Sequence, residues 1–150
     1  MIDPSDLFKQ VIPIVASDRC GRSLSRLCSP AKFNEALALL EASFCPVIVT
    51  GFYVPSAGAP ETDGPPGAAV LARTLQRLER KVALATDRWN APAANACCQA
   101  LAVKAPLVAE DPEEILDMDP DLLVFVERLG RARDGRYYNM RGEDISNCTA

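Results

Sequence analysis

The chain has 150 residues, of which 49% are hydrophobic and 24% charged, and its formal net charge is −4. These values are typical of one folded domain with a sizeable core, and the negative charge argues against binding to nucleic acid or to an anionic membrane surface. No apolar run reaches the length of a bilayer span. The acidic N-terminus lacks the basic start of a secretory signal and the arginine-rich character of a transit peptide. We therefore expect a cytoplasmic protein, or a protein of the mitochondrial matrix if a transit peptide has been trimmed.

Residues that favour helix starts, followed by apolar residues at helical spacing, predict the following helices in chain order. A short helix, interrupted by Pro13, is predicted within residues 7–15, and a polar loop from Ser17 to Ser29. Ser29-Pro30 is a typical helix start, and the helix that follows should end near Ser43. Further helical patterns cover residues 65–79, 91–103 and a short stretch after Asp111.

Short apolar runs between these helices predict four strands, near residues 47–50, 82–86, 106–109 and 122–127. The alternation of strands and helices predicts an α/β fold, a three-layer sandwich around a mostly parallel, Rossmann-like sheet. We treat residues 1–150 as a single domain, with residues 1–28 as an N-terminal helix and loop extension.

The chain contains six cysteines and no histidine. Without histidine the mixed zinc ligand sets are excluded, and a chain with enough apolar residues for a core has little need of a disulfide framework. We expect reduced, structural thiols. Acid–base chemistry would fall to Asp, Glu, Lys, Tyr, Cys or water, and a bound metal would take oxygen ligands, which suit Mg²⁺ or Mn²⁺.

Polar residues follow the predicted strands at the points where the strands end. Glu61 and Asp63 lie in a Gly- and Pro-rich loop after the first strand, Asp87 ends the second, and Glu127-Arg128 end the last. Because the carboxyl ends of parallel strands meet at one edge of a sheet, we expect these side chains to lie close together. Each also has a structural alternative: helix capping for the aspartates, and surface ion pairs for the last two. The loop matches neither common phosphate motif, although the helix after it offers N–H groups to an anion.

Three segments resemble the D-glutamate cyclase family. They are Thr50-Gly51-Phe52, the stretch ETDGPPGA from Glu61 to Ala68, and the stretch ERLGRARDGRYYN from Glu127 to Asn139. The resemblance covers roughly residues 47–146. It implies that the chain corresponds to the N-terminal portion of a cyclase domain about twice as long. The sandwich would then be incomplete, because the second half of that domain is absent.

The resemblance implies a lyase that cyclises D-glutamate to 5-oxo-D-proline with loss of water. We assign the catalytic roles to Glu61, Asp63 and Glu127. A divalent cation, Mn²⁺ or Mg²⁺, held by Asp63 and Glu127 is one means of neutralising the substrate's γ-carboxylate, and Arg128 is another. The residues we assign to substrate binding are Gly64, Gly67, Asp87, Arg128, Arg131, Tyr138 and Asn139.

The expected partner is the small-molecule substrate, D-glutamate, with neither nucleic acid nor membrane. Apolar surface left by a missing half would favour self-association, and we expect weak or no turnover from the 150-residue chain by itself. The alternative function is a non-catalytic α/β module that binds a small anionic metabolite.

Overall fold

The structure, a computed structural model, describes residues 4–15, 17 and 29–149, and it divides into two compact units, the first up to Ala42 and the second from Ser43 onward. In the first unit, helices α1 (Pro4–Val15) and α2 (Pro30–Ala42) bring the rings of Phe8 and Phe33 to 5.1 Å between centroids. The boundary between the units follows α2, and the description of residues 1–150 as a single domain stays a prediction. The predicted N-terminal helix is confirmed and runs through Pro13, whereas most of the predicted loop from Ser17 to Ser29 lies outside the described residues.

The second unit alternates strands and helices as predicted. Its strands and α-helices, in chain order, are β1 (Pro46–Gly51), β2 (Tyr53–Val54), β3 (Ala59–Pro60), α3 (Gly64–Arg77), β4 (Ala83–Thr86), α4 (Ala91–Ala100), β5 (Leu107–Val108), α5 (Pro112–Leu116) and β6 (Leu122–Arg128). Short 3-10 helices lie at Pro55–Ala57 and Ser146–Cys148. No helix in the described part of the chain is long and apolar enough to cross a membrane.

Four strands form one parallel sheet in the order β5-β4-β1-β6, which confirms the predicted α/β fold. The chain winds outward from β1 to β4 and β5, and then returns to place β6 on the other side of β1. The winding direction therefore reverses between β1 and β6. In open α/β sheets, ligands bind outside the carboxyl ends of the strands at this switch point.

Helices cover both faces of the sheet. On one face, α3 approaches closely through Ala68, Ala69 and Ala72, all fully buried. On the other face, Ile115 of α5 packs against Val47, Val49 and Ala85. This second layer is thin, because α5 has only five residues and Phe125 in β6 remains 62% exposed.

The segment after β1 is more ordered than the predicted loop. Tyr53 and Val54 pair antiparallel with Pro60 and Ala59, which forms a small β2–β3 ribbon beside the main sheet. Two-residue strands show no readable periodicity, and a proline in β3 is typical of an edge position.

A carboxylate fastens the start of β1 to the start of β6. Asp121 accepts hydrogen bonds from the Ser43 hydroxyl and from the backbone N–H groups of Phe44 and Cys45. The Ser43 hydroxyl, followed by the Phe44 amide, lowers the pKa of Asp121. This contact lies at the amino ends of the strands, so it belongs to the fold rather than to the switch point.

The described cysteines are free. Cys45, Cys97, Cys98 and Cys148 form no disulfide, which confirms the prediction for these four, while Cys20 and Cys28 lie outside the described residues. Burial, together with the neighbouring Cys97, raises the pKa of the Cys98 thiol. A raised thiol pKa is opposite to what a nucleophilic cysteine requires.

Candidate functional site

A buried ion pair joins the carboxyl ends of β4 and β6. Arg128 Nη1 donates to Asp87 Oδ2, and it also donates to the carbonyl oxygen of Gly51 at 3.3 Å. The Arg128 and Asp87 side chains are only 10% and 1% exposed. The structure thus brings together two of the predicted site residues, and Gly51 places the end of β1 between them.

The second oxygen of Asp87 organises the turn that leads into α4. Asp87 Oδ1 accepts from the backbone N–H groups of Trp89 and Asn90 at 3.1 Å, and from Asn90 Nδ2 at 2.7 Å. Asp87 therefore holds the turn before α4 rather than capping the helix, whose N-cap is Asn90, and it holds Arg128 as well.

Asn90 is a site residue that the sequence analysis missed. It is fully buried and occupies the N-cap position of α4, yet its side chain makes no capping hydrogen bond. Its Oδ1 has no hydrogen-bond partner in the described structure. Leaving a buried acceptor unpaired costs about 1–3 kcal/mol. The feature of the sequence that could have identified it is its position, because Asn90 follows Asp87, at the end of a predicted strand, by three residues.

Glu127 lies on a β-bulge at the end of β6. The pairing passes from Thr50↔Val126 to Gly51↔Arg128, so Glu127 has no partner across the ladder. Its φ is +47°, a left-handed conformation that costs a non-glycine residue about 1–3 kcal/mol. Bulges of this kind commonly redirect side chains next to active sites.

Gly64 lets the first turn of α3 approach this bulge. A Cβ at Gly64 would lie 2.8 Å from the Cβ of Glu127 and 2.9 Å from Thr50 Oγ1, closer than side chains tolerate. Gly67, the other predicted binding glycine, is exposed, and a Cβ there would lie 3.8 Å from Val126 Cγ1. Pro65 and Pro66 remove two N–H groups from the helix start, so α3 offers an anion fewer donors than the sequence analysis assumed.

Two further buried oxygens lie at the strand ends. The hydroxyl groups of Thr50 in β1 and Thr86 in β4 are buried and have no hydrogen-bond partner in the described residues. With Asn90 Oδ1 they make three unpaired oxygens in this part of the fold, although buried polar groups are normally paired. These three oxygens form no hydrogen bonds that would stabilise the fold, which is consistent with a role in binding.

Glu61 and Asp63 lie in the segment between β1 and α3. Glu61 lines a small cavity of about 210 Å³ together with Phe52 and Asn139. Asp63 is exposed and occupies the N-cap position of α3, but its side chain makes no capping hydrogen bond. The capping alternative therefore does not account for Asp63, and neither carboxylate takes part in the Asp87–Arg128 ion pair.

The donors of Tyr138 and Asn139 are used within the C-terminal segment. The Tyr138 hydroxyl donates to Asp134 Oδ2 at 2.6 Å, and this bond raises the pKa of Tyr138 and lowers that of Asp134. Asn139 Nδ2 donates to Glu143 Oε2 at 2.6 Å. Either residue would have to exchange partners to bind a substrate.

A cavity of about 440 Å³ lies beside the ion pair, on the face of the sheet that carries α5. Its polar lining consists of Thr86, Glu110, Asp111, Arg128, Arg131 and Tyr137. Arg131 also donates from Nε to the carbonyl oxygen of Gly135. The volume suits a small-molecule ligand. The apolar side is lined by Val49, Ile115, Leu116, Leu123, Phe125 and Leu129.

Across the part of the chain that the structure describes, no group of three or more Cys, Asp or Glu side chains could hold a metal ion. A cation held by Asp63 and Glu127 therefore stays a prediction.

The fold is that of a doubly wound α/β protein, with the Asp87–Arg128 ion pair and a cavity of small-molecule size beside its topological switch point. A family model described as "D-glutamate cyclase-like, C-terminal" matches residues 11–150. Human "D-glutamate cyclase, mitochondrial" is 31% identical over 167 residues, which cover 97% of this chain and 27% of the human protein. The chain therefore belongs to the D-glutamate cyclase-like family, and it spans only about a quarter of the length of that relative.

These comparisons confirm the predicted family and correct the predicted place within it. The match is to the C-terminal domain of the family's proteins rather than to an N-terminal portion. A resemblance carried by short motifs identifies the family, but it does not locate those motifs along a longer protein.

Proposed function

We propose that this chain takes part in the cyclisation of D-glutamate to 5-oxo-D-proline with loss of water. The observation that carries the proposal is the buried Arg128, held by Asp87 and Gly51 at the switch point of the sheet. A guanidinium fixed in this way is suited to a carboxylate ligand, and D-glutamate carries two carboxylates.

The reaction requires two changes in the substrate before its ring can close. The α-ammonium must lose a proton so that its nitrogen can attack the γ-carboxyl carbon, and the charge on that carboxylate must be neutralised. One C–N bond forms and one C–O bond breaks. The two hydrogens lost by nitrogen leave with the departing oxygen as water. No electron transfer is involved, and the configuration at Cα is retained.

The residues at the switch point can supply both changes. Arg128 would neutralise the γ-carboxylate and stabilise the tetrahedral oxyanion. Glu127, turned toward the start of α3 by its bulge, would accept the proton from the amine, with Asp63 and Glu61 as the other candidate bases. Holding the flexible substrate in its ring-closing conformation would add a proximity effect.

Product formation and ligand binding test the proposal separately. The purified chain is incubated with D- or L-glutamate, with and without Mn²⁺ or Mg²⁺. Formation of 5-oxoproline is followed by chromatography and binding by calorimetry. We expect stereoselective binding of D-glutamate with slow formation of 5-oxo-D-proline. Binding without product under every condition would favour the non-catalytic module, and absence of both would contradict the proposal.

The human relative is named as a mitochondrial protein. For this chain, the mitochondrial matrix and the cytoplasm both stay predictions, and fractionation of cells that express the protein decides between them.

A further inference from the structure

We propose that Asn90 is a positioning residue that fixes the Arg128 guanidinium through Asp87. The inference depends on the proposed function only for its effect on turnover, because the restraint on Arg128 can be measured without a substrate.

The two carboxylate oxygens of Asp87 bind different side chains, Asn90 and Arg128. Oδ1 receives the Asn90 side-chain amide at 2.7 Å, while Oδ2 receives the guanidinium. Asn90 is fully buried, and Asp87 and Arg128 are almost so. A carboxylate held at both oxygens in so enclosed a place cannot rotate without breaking one of these bonds.

Asn90 also lies behind the second anchor of Arg128. Gly51 has a φ of +140°, and a Cβ at this position would come within 3.0 Å of Asn90 Cγ and Nδ2. The backbone of Gly51 is thus packed against the Asn90 amide, and the carbonyl of the same residue accepts from Arg128. The Asn90 side chain therefore contacts both anchors of the guanidinium, Asp87 after β4 and Gly51 at the end of β1, and it adds to the two backbone N–H groups that also hold Asp87.

Helix capping does not explain this arrangement. Asn is a favoured N-cap residue because its oxygen can accept from the first turn of a helix, yet Asn90 makes no such bond and its Oδ1 is left unpaired. Asp111, the N-cap of α5, shows the contrasting case, because it forms a full capping box with Glu114. Asn90 gives up the stabilising bond of a cap and holds Asp87 instead.

Replacing Asn90 by serine separates capping from positioning. Serine is an equally good N-cap, but its hydroxyl is too short to reproduce the amide bond to Asp87. We expect Asn90→Ser to fold but to lower the midpoint of urea unfolding, because it removes a buried hydrogen bond to a charged group. The Nε–Hε signal of Arg128 in ¹H–¹⁵N spectra should shift, and its exchange with water should accelerate at least several-fold. Asn34→Ser makes the same exchange at an exposed position of α2, and this matched control should change neither property.

The kinetic consequence is a fall in kcat/KM for D-glutamate of about 10–100-fold in Asn90→Ser, the range expected for losing a hydrogen bond to a charged group. Asn34→Ser should keep the wild-type value. If wild-type chain forms no product, the proposed function fails, and the Arg128 signal still decides whether Asn90 positions it.

An unchanged Arg128 signal in folded Asn90→Ser would overturn the inference even in an active enzyme. If that variant does not fold, Asn90→Thr replaces it, since threonine also caps and fills more of the space. Exchange of the Arg128 guanidinium protons with water in the wild type is a further test. Rapid exchange would show that the guanidinium is not held in place, which would also overturn the inference.

Discussion

Replacing Glu127 by glycine should remove a side chain from the site without weakening the fold. The φ of Glu127 is +47°, and its side chain is exposed, so the substitution relieves backbone strain and empties no core position. Relief of a left-handed non-glycine conformation contributes about 1–2 kcal/mol. The greater conformational entropy of glycine in the unfolded chain lowers the free energy of unfolding by roughly 0.5–1 kcal/mol. We therefore expect the free energy of unfolding to stay constant or to rise by as much as about 1.5 kcal/mol.

Urea unfolding measures that change, and formation of 5-oxo-D-proline measures the loss of function. If Glu127 accepts the amine proton, the rate should fall by about 10²–10⁴-fold. Glu79 is the matched control, because it is exposed, has a φ of +60°, and follows α3 away from the site. Glu79→Gly should show the same effect on stability and full activity. A loss of more than 1 kcal/mol in Glu127→Gly would refute the strain argument, and full activity would remove Glu127 from the chemistry.

Three further substitutions test other parts of the account. Gly64→Ala should destabilise the protein by about 1–3 kcal/mol in thermal or urea unfolding, the usual cost of overpacking, whereas a Cβ at Gly130 meets no atom within 4 Å and Gly130→Ala should be close to neutral. Asp63→Asn should leave the unfolding midpoint unchanged, because this side chain makes no capping bond. If Asp63 acts as base or cation ligand, product formation should fall by about 10²–10⁴-fold, and a retained rate would exclude both roles. The lowered pKa of Asp121 means that its contribution to stability is complete above its unfolded pKa of about 3.9 and is lost as pH falls through the folded value. Between about pH 5 and pH 2, Asp121→Asn should therefore lose stability less steeply than wild type. Identical plots of stability against pH would contradict a stabilising role of the Asp121 carboxylate.

The sequence was sufficient to predict the four parallel strands because a strand buried on both faces reads as a continuous apolar run. Pro46–Gly51 shows this pattern, because all six residues are buried. Leu122–Arg128 has the apolar run as well, but its residues alternate between half-buried and exposed, so burial of this strand on both faces was not found. The strand order was not predictable in the same way, since it depends on which side of β1 each crossover packs. The ribbon of β2 and β3 was missed because two paired residues are too few to show a period.

The site was predictable where it depends on topology. Asp87 and Arg128 were expected to meet because both end parallel strands, and the structure pairs them. Asn90 and Thr50 could not be found in this way, since what distinguishes them is an unpaired buried oxygen, which is a property of the folded surroundings. Tyr138 was predicted to bind substrate from its motif, but the motif does not reveal that its hydroxyl already donates a hydrogen bond to Asp134.

The central claim is that D-glutamate binds at the switch point between β1 and β6. Titration of D-glutamate into the ¹⁵N-labelled chain, followed by ¹H–¹⁵N spectra, tests it most directly. The account predicts the largest shifts at Gly51, Gly64 and Arg128, with L-glutamate giving smaller ones. Shifts confined to the opposite ends of the strands, near Phe44 and Asp121, or no shifts at millimolar D-glutamate, would contradict it.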